Sequence, residues 1–322
     1  MEGCAGRRKI PWSGGGAGAR AGARAVLKKQ PQQWTRRWVS HTNVDANGGL
    51  SCVRSSKEKE AARDECNVLQ EIESVSQSVS ERLISILRKT EAEERDCRYI
   101  IGLAGVPGSG KTTLAVEACV RANNAVDGNP FLALPMDGFH YHTRVLDEQG
   151  LRRRGSCFTF DAESLVASAR RIKSYDSVNN GNVSNVYWPS FDHSVGDPIE
   201  KGFLITNEHK VILLEGNYLL MGAGPYPELK ELDPEWNERW DEEWAWAGLD
   251  SVLDEGWFLD CRIDVAMERL VKRHILANNN SEEEARGRVE VNDGINAMLI
   301  SKSFEQRVKD SHAIWVIRNQ SL

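Results

Sequence analysis

The stretch Gly105-Val-Pro-Gly-Ser-Gly-Lys-Thr112 constrains this chain more than any other feature. It follows the apolar, β-rich run Tyr99–Val106, and Thr113–Ala122 then reads as a helix. The pattern G-x-x-x-x-G-K-[ST] between a strand and a helix is a phosphate-binding loop. Its glycines let backbone N–H groups curl around phosphate oxygens, and the helix N-terminus adds positive potential. Gly105, Val106, Pro107, Gly108, Ser109, Gly110, Lys111, Thr112 and Thr113 are therefore the expected nucleotide contacts. Lys111 is expected to reach the β- and γ-phosphates, and Thr112 to hold Mg²⁺.

What kind of nucleotide protein this is depends on the rest of the chain. Its composition, 40% apolar and 27% charged, is that of a soluble globular protein. The longest apolar runs, such as Val211–Leu214, fall far short of the roughly 20 residues that cross a bilayer, so no membrane role is expected. The net charge of −6 is unevenly spread: residues 1–57 hold eleven Lys and Arg against only Glu2 and Asp45. The body is consequently acidic, which argues against a nucleic-acid partner. The seven cysteines are scattered with no C-x-x-C pair, so zinc and thioredoxin-like chemistry have no support.

Three regions are expected. Residues 1–56 read as a disordered basic tail, rich in Arg, Ala and Gly, with the composition of a transit peptide. The expected location is intracellular: cytoplasmic, or mitochondrial or plastid if that tail is a targeting signal. Residues 57–98 read as a helix, with Val68, Ile72, Val75, Val79, Leu83 and Leu87 along one face. The stripe is short, so packing on the following domain is favoured, with a coiled-coil homodimer as the alternative. The third region, 99–322, is the catalytic domain.

Two carboxylates then stand where chemistry would need them. Phe131–Met136 reads as the second strand and runs into Asp137-Gly-Phe-His-Tyr-His142. Ligands of parallel sheets gather at the carboxyl ends of strands, so Asp137 can face a γ-phosphate held by the first loop. A phosphoryl acceptor hydroxyl needs a base to take its proton, and Asp137 is the candidate, a turn aspartate being the bland alternative. The fourth strand, Lys210–Leu214, ends in Glu215, the position of a Mg²⁺-binding carboxylate. Asp147-Glu-Gln-Gly150 imitates the D-x-x-G of GTPases, but no strand precedes it and no N-K-x-D follows.

The combination Gly-Val-Pro-Gly-Ser-Gly-Lys-Thr-Thr113 with Met-Asp-Gly-Phe-His140 resembles the phosphoribulokinase / uridine kinase / pantothenate kinase superfamily of P-loop kinases. Within it, the likeness is to the uridine kinase-like or fructose-transport-system kinase-like branch, over about residues 80–320. The resemblance implies an α/β P-loop NTPase fold: a doubly wound, mainly parallel sheet with helices on both faces and a helical lid. It also implies ATP and Mg²⁺ as cofactors and a small-molecule hydroxyl acceptor. Gly150-Leu-Arg-Arg-Arg-Gly155 with Thr159-Phe-Asp161 is similar to the basic loop of the pantothenate kinase-like branch. Tyr187–His193 closes a third strand similar to the family's substrate-side segment. The acceptor side is thus expected to hold His140, Arg153, Arg154, Asp192, His193, Asn217 and Tyr218. Arg269 and Arg273 belong to the implied lid, Asn292 and Asn296 to a segment near the nucleotide, and Asn319 to the adenine edge.

Two features depart from the family. Cys157-Phe158 stands where many relatives carry Pro-Glu, which bears on the acceptor pocket. An acidic insert, 221–254, places Trp236, Trp240 and Trp244 at i, i+4 and i+8, one helical face, with Trp246 beyond. The favoured function is an ATP- and Mg²⁺-dependent kinase acting on a nucleoside, pantothenate-like or sugar-like hydroxyl. The rival is a nucleotide-binding switch or assembly protein that hydrolyses ATP slowly.

Overall fold

The central strands of this chain are apolar on successive residues, so both faces of the sheet they form must be covered. The computed structural model describes residues 56–173, 186–192, 195–222, 245–278, 281–310 and 312–318. Two helices lead into the sheet and its first crossover: α1 (Ser56–Ala92) and α2 (Lys111–Asn124). The sheet itself contains β1 (Tyr99–Gly105), β2 (Phe131–Pro135), β5 (Val211–Glu215), β6 (Glu255–Asp260) and β7 (Ile314–Arg318). Their order is β2-β5-β1-β6-β7, and every neighbouring pair is parallel.

Alternation sorts the side chains onto the two faces. Ile101, Leu103, Val211, Leu213, Trp257 and Leu259 meet Val79 and Leu83 of α1 and Leu114, Ala115 and Ala118 of α2. Ile100, Ala104, Ile212 and Leu214 point the other way. There they meet Leu165 and Ile172 of α4 (Ala162–Lys173) and Ala297 and Ile300 of α7 (Gly294–Lys309). Val211 to Leu214 are each 0% exposed, and burying side chains of this size stabilises by roughly 1.5–3 kcal/mol apiece. The fold is the doubly wound α/β arrangement that the loop demanded. Leu83 and Leu87 of the α1 stripe are buried inside this chain, with Val75 partly so.

The third strand lies outside the main sheet. β3 (Val186–Asp192) does not join the parallel sheet; it pairs antiparallel with β4 (Asp197–Ile205) as a separate hairpin. Pro189 explains part of this, because a proline cannot donate to a central ladder, and the pairing register shifts there, between Trp188 and Ser190. The hairpin is anchored on the turn after β2: Trp188 Nε1 donates to the Pro135 carbonyl at 2.8 Å, and its ring meets Phe139 edge-on at 4.8 Å. A Cβ on Gly138 would lie 2.3 Å from the Pro189 carbonyl oxygen, so only glycine fits that crossing.

Three shorter or later helices complete the description: α3 (Glu148–Arg152), α5 (Ile263–Asn278) and α6 (Glu282–Arg288). Asp147, the GTPase look-alike, caps α3, its side chain accepting from the Gly150 amide at 2.7 Å. Of the tryptophan-rich insert, residues 223–244, with Trp236, Trp240 and Trp244, lie outside the described residues, as does the basic tail 1–55. Trp246 is described and is core, 4% exposed and packed on Tyr218 at 5.5 Å. Among the described residues no helix is long and apolar enough to cross a membrane.

Candidate active site

Register brings the site together. Leu103, Glu215 and Pro135 lie side by side in β1, β5 and β2, so those strands end at one edge. The strand order reverses about β1, with β2 and β5 on one side and β6 and β7 on the other, and ligands bind at such a switch point. The phosphate loop, Glu215 and the turn carrying Asp137 all leave the sheet at that edge.

Within the loop, Gly108 and Gly110 take φ of +79° and +91°, left-handed values that side chains rarely adopt. Gly110 is the N-cap of α2, so Lys111 opens the helix. Lys111 is buried, and burial lowers its pKa, opposed by the negative charges of Glu215 and Asp137 and helped by Arg273. Glu215 is 4% exposed, and burial pushes its carboxyl up. The Lys111 ammonium and a hydrogen bond from Thr112 oppose that rise, and the neighbouring Asp137 adds to it. Thr112 Oγ1 donates to Glu215 Oε1 at 3.0 Å.

These residues suit a nucleotide with a hard cation. The Ser109 hydroxyl is buried without a protein partner, which an oxygen-rich ligand would supply. Glu215 meets the Thr112 hydroxyl, and Asp137 bears on the same lysine; carboxylate and hydroxyl oxygens are the hard donors Mg²⁺ takes alongside phosphates. The described residues hold no cluster of three or more His, Cys, Asp or Glu side chains, so a dedicated protein cage is not formed among them. On the far side of the loop, Arg269 Nη1 of α5 stands 3.5 Å from the Gly108 carbonyl. Arg273, one turn on, is exposed, and its charge acts on Lys111. Both arginines therefore border the phosphate loop.

Of the residues expected to meet an acceptor, His140 lies three residues past Asp137 and its Nδ1 is 2.8 Å from the Asp137 carbonyl. Its ring lies against Phe160 at 3.8 Å and Phe191 at 4.6 Å. Asp192 ends β3 opposite Asp197. Arg153 is buried and donates from Nε to Asn292 Oδ1 at 3.1 Å. Arg154 donates to the carbonyls of Tyr141 and Gly196 at 2.8 and 2.6 Å and faces Asp197 at 3.3 Å. These contacts tie both arginines to neighbouring backbone and side chains of the protein itself. Tyr218 is fully buried, its hydroxyl donating to the Gly155 carbonyl at 2.6 Å, so it shapes the site from behind. Asn217 Oδ1 is buried without a partner. His193 and Asn319 lie outside the described residues.

Sequence reasoning missed Asp197. It accepts from the Thr143 amide and hydroxyl at 2.8 and 3.0 Å as well as meeting Arg154. The Thr143 amide is the main reason its pKa is lowered. It ties three loops together around the acceptor side. Nothing local marks it, since its partners are 43 and 54 residues away.

Comparison with known proteins adds the following. No family model matches the chain. It is 31% identical over 223 residues to "Putative uridine kinase C227.14" of Schizosaccharomyces pombe, covering 67% of this chain and 84% of that one. "ATP-dependent kinase YFH7" of Vanderwaltozyma polyspora is 27% identical over 268 residues, 72% of this chain and 69% of that one. Among solved structures, a "putative fructose transport system kinase" from Silicibacter sp. TM1040 superposes with a TM-score of 0.52 at 26% identity, over 73% of this chain and 97% of that one.

Proposed function

Given that the chain belongs to the uridine kinase-like branch of the P-loop kinases, we propose that it transfers the γ-phosphate of ATP to a hydroxyl of a small metabolite. The observation that carries this reading is the pairing of Asp137 and Glu215. They leave neighbouring strands at one edge, and both bear on the charge of the phosphate-loop lysine. A protein that only binds nucleotide has no use for a second carboxylate beside Glu215, whereas an attacking hydroxyl needs one to take its proton.

The roles divide as follows. The loop amides and Lys111 hold the phosphates. Thr112 and Glu215 would hold Mg²⁺, which would supply neutralising charge to those phosphates. Asp137 accepts the proton of the acceptor hydroxyl as that oxygen attacks phosphorus. Arg269 and Arg273 stabilise charge spread over the equatorial oxygens of the transferring group and exclude water. Little covalent work falls to the protein, so most of the acceleration comes from positioning and fixed charge. The aromatic surroundings of His140 and the Asp197 cluster favour a polar, ring-bearing or polyhydroxylated acceptor, which includes nucleosides, pantothenate-like compounds and sugars or sugar acids.

The test is ADP release from Mg·ATP across a panel of nucleosides, pantothenate, sugars and sugar acids. A rate that rises at least tenfold with one acceptor class supports the reading and names the class. A slow rate, indifferent to every acceptor but raised by a protein partner, would favour the switch instead.

A further inference from the structure

A buried polar network outside the reacting centre joins the later helices to the turn after α3. Between α6 and α7 the chain makes a π-helical turn, Val289–Asp293. Such turns break the α-helical register and recur near functional sites. Asn292, within this turn, and Asn296, at the start of α7, are each 2% exposed. Asn292 Oδ1 accepts from Arg153 Nε at 3.1 Å and Ser156 Oγ at 3.3 Å, and its Nδ2 donates to the Arg154 carbonyl at 2.9 Å. Asn296 Oδ1, 3.1 Å from Ser156 Oγ, shares that hydroxyl's one proton with Asn292, and its Nδ2 is 3.4 Å from the Gly155 carbonyl. That carbonyl also receives the Tyr218 hydroxyl. Gly155, at φ +100°, supplies the reversal that turns both carbonyls inward.

The network has two outlets. Through Arg154 it reaches Tyr141, Gly196 and Asp197 on the acceptor side. Through Asp293, adjacent to Asn292, it reaches His274 of α5 at 3.3 Å, one residue from Arg273. Buried side chains whose donors and acceptors are matched in this way specify one arrangement and resist partial alternatives. The two asparagines thus engage the acceptor-side turn.

We propose that Asn292 is a positioning residue that locks the Arg153–Ser156 turn to the lid helices, so that acceptor loop and lid are ordered as one unit. The kinetic consequence rests on the kinase reading, whereas the coupling itself does not.

The test uses the full chain and the isosteric variant Asn292→Asp. It keeps the Oδ1 acceptor for Arg153 and Ser156 but turns an oxygen toward the Arg154 carbonyl. Amide hydrogen exchange without nucleotide should then be about tenfold faster over residues 150–160 and unchanged over 105–115, as expected for one lost buried hydrogen bond. Tyr218→Phe, which removes only the hydroxyl, is the second variant and should loosen the same amides less. In turnover assays Asn292→Asp should raise the acceptor KM about tenfold and leave the ATP KM within about twofold, a split that a merely destabilised protein would not give. Unchanged exchange at 150–160 in both variants, or equal losses for ATP and acceptor, would overturn the proposal. If the wild-type chain turns over no acceptor, the kinase reading fails, and the exchange comparison still decides the coupling.

Discussion

At Gly108 a Cβ would lie 2.4 Å from the Ala266 carbonyl oxygen, in a backbone already at φ +79°. Gly108→Ala must therefore shift the loop away from α5, at a strain of about 1–3 kcal/mol. The expected outcome is a fluorescent-ATP Kd raised at least about tenfold in a protein that still melts cooperatively. An unchanged Kd would show that the loop accommodates a side chain there. Cys119 offers a separate reading of the interior beneath α2. Burial pushes its thiol up to about 12, whereas an unfolded thiol titrates near about 8.5. Above about pH 8.5 the unfolded chain releases this proton and the folded chain retains it, so stability falls as pH rises, by up to about 1.4 kcal/mol per unit. Denaturant titrations at pH 8 and pH 10 should show a smaller loss in Cys119→Ala than in wild type. Equal losses would mean the thiol is not sequestered.

At the scale of the element, α1 is fastened to the sheet by Val79 and Leu83, both 0% exposed. Leu83→Ala should cost about 2–5 kcal/mol, from lost burial and the cavity left behind. Thermal melting should fall by at least about 4 °C, given about 2–4 °C per kcal/mol in domains of comparable size. A change under about 1 °C would mean the helix is peripheral. The elements also show what could be read in the chain beforehand. The phosphate loop was legible because its chemistry demands glycines at fixed spacing beside a strand and a helix. β5 was legible because four consecutive buried aliphatics admit little else, and Glu215 because it follows them. β3 was legible as a strand but not by its sheet, since its composition suits either; only Pro189 hinted that it could not sit in a central ladder. Asp197, and the partners of Asn292, were illegible for a different reason. Their partners lie 43 to 139 residues away, and no local period records them.

Taken as a whole, the molecule gathers its chemistry by ending β1, β2 and β5 together and by covering both faces of the sheet. Lys111, Thr112, Asp137 and Glu215 come from three separate segments, and Arg269 and Arg273 from a fourth, yet each borders one edge. This edge is proposed to move a phosphoryl group onto a hydroxyl, with Asp137 as the base. The most direct measurement follows the label from γ-³²P-ATP into acceptor and into inorganic phosphate, for wild type and Asp137→Asn at equal ATP occupancy. Wild type is expected to label the acceptor, and Asp137→Asn to lose that labelling by about 10²–10⁴-fold with ATP affinity within about twofold. Label appearing only as inorganic phosphate in the wild type, or acceptor labelling that survives Asp137→Asn, would contradict it.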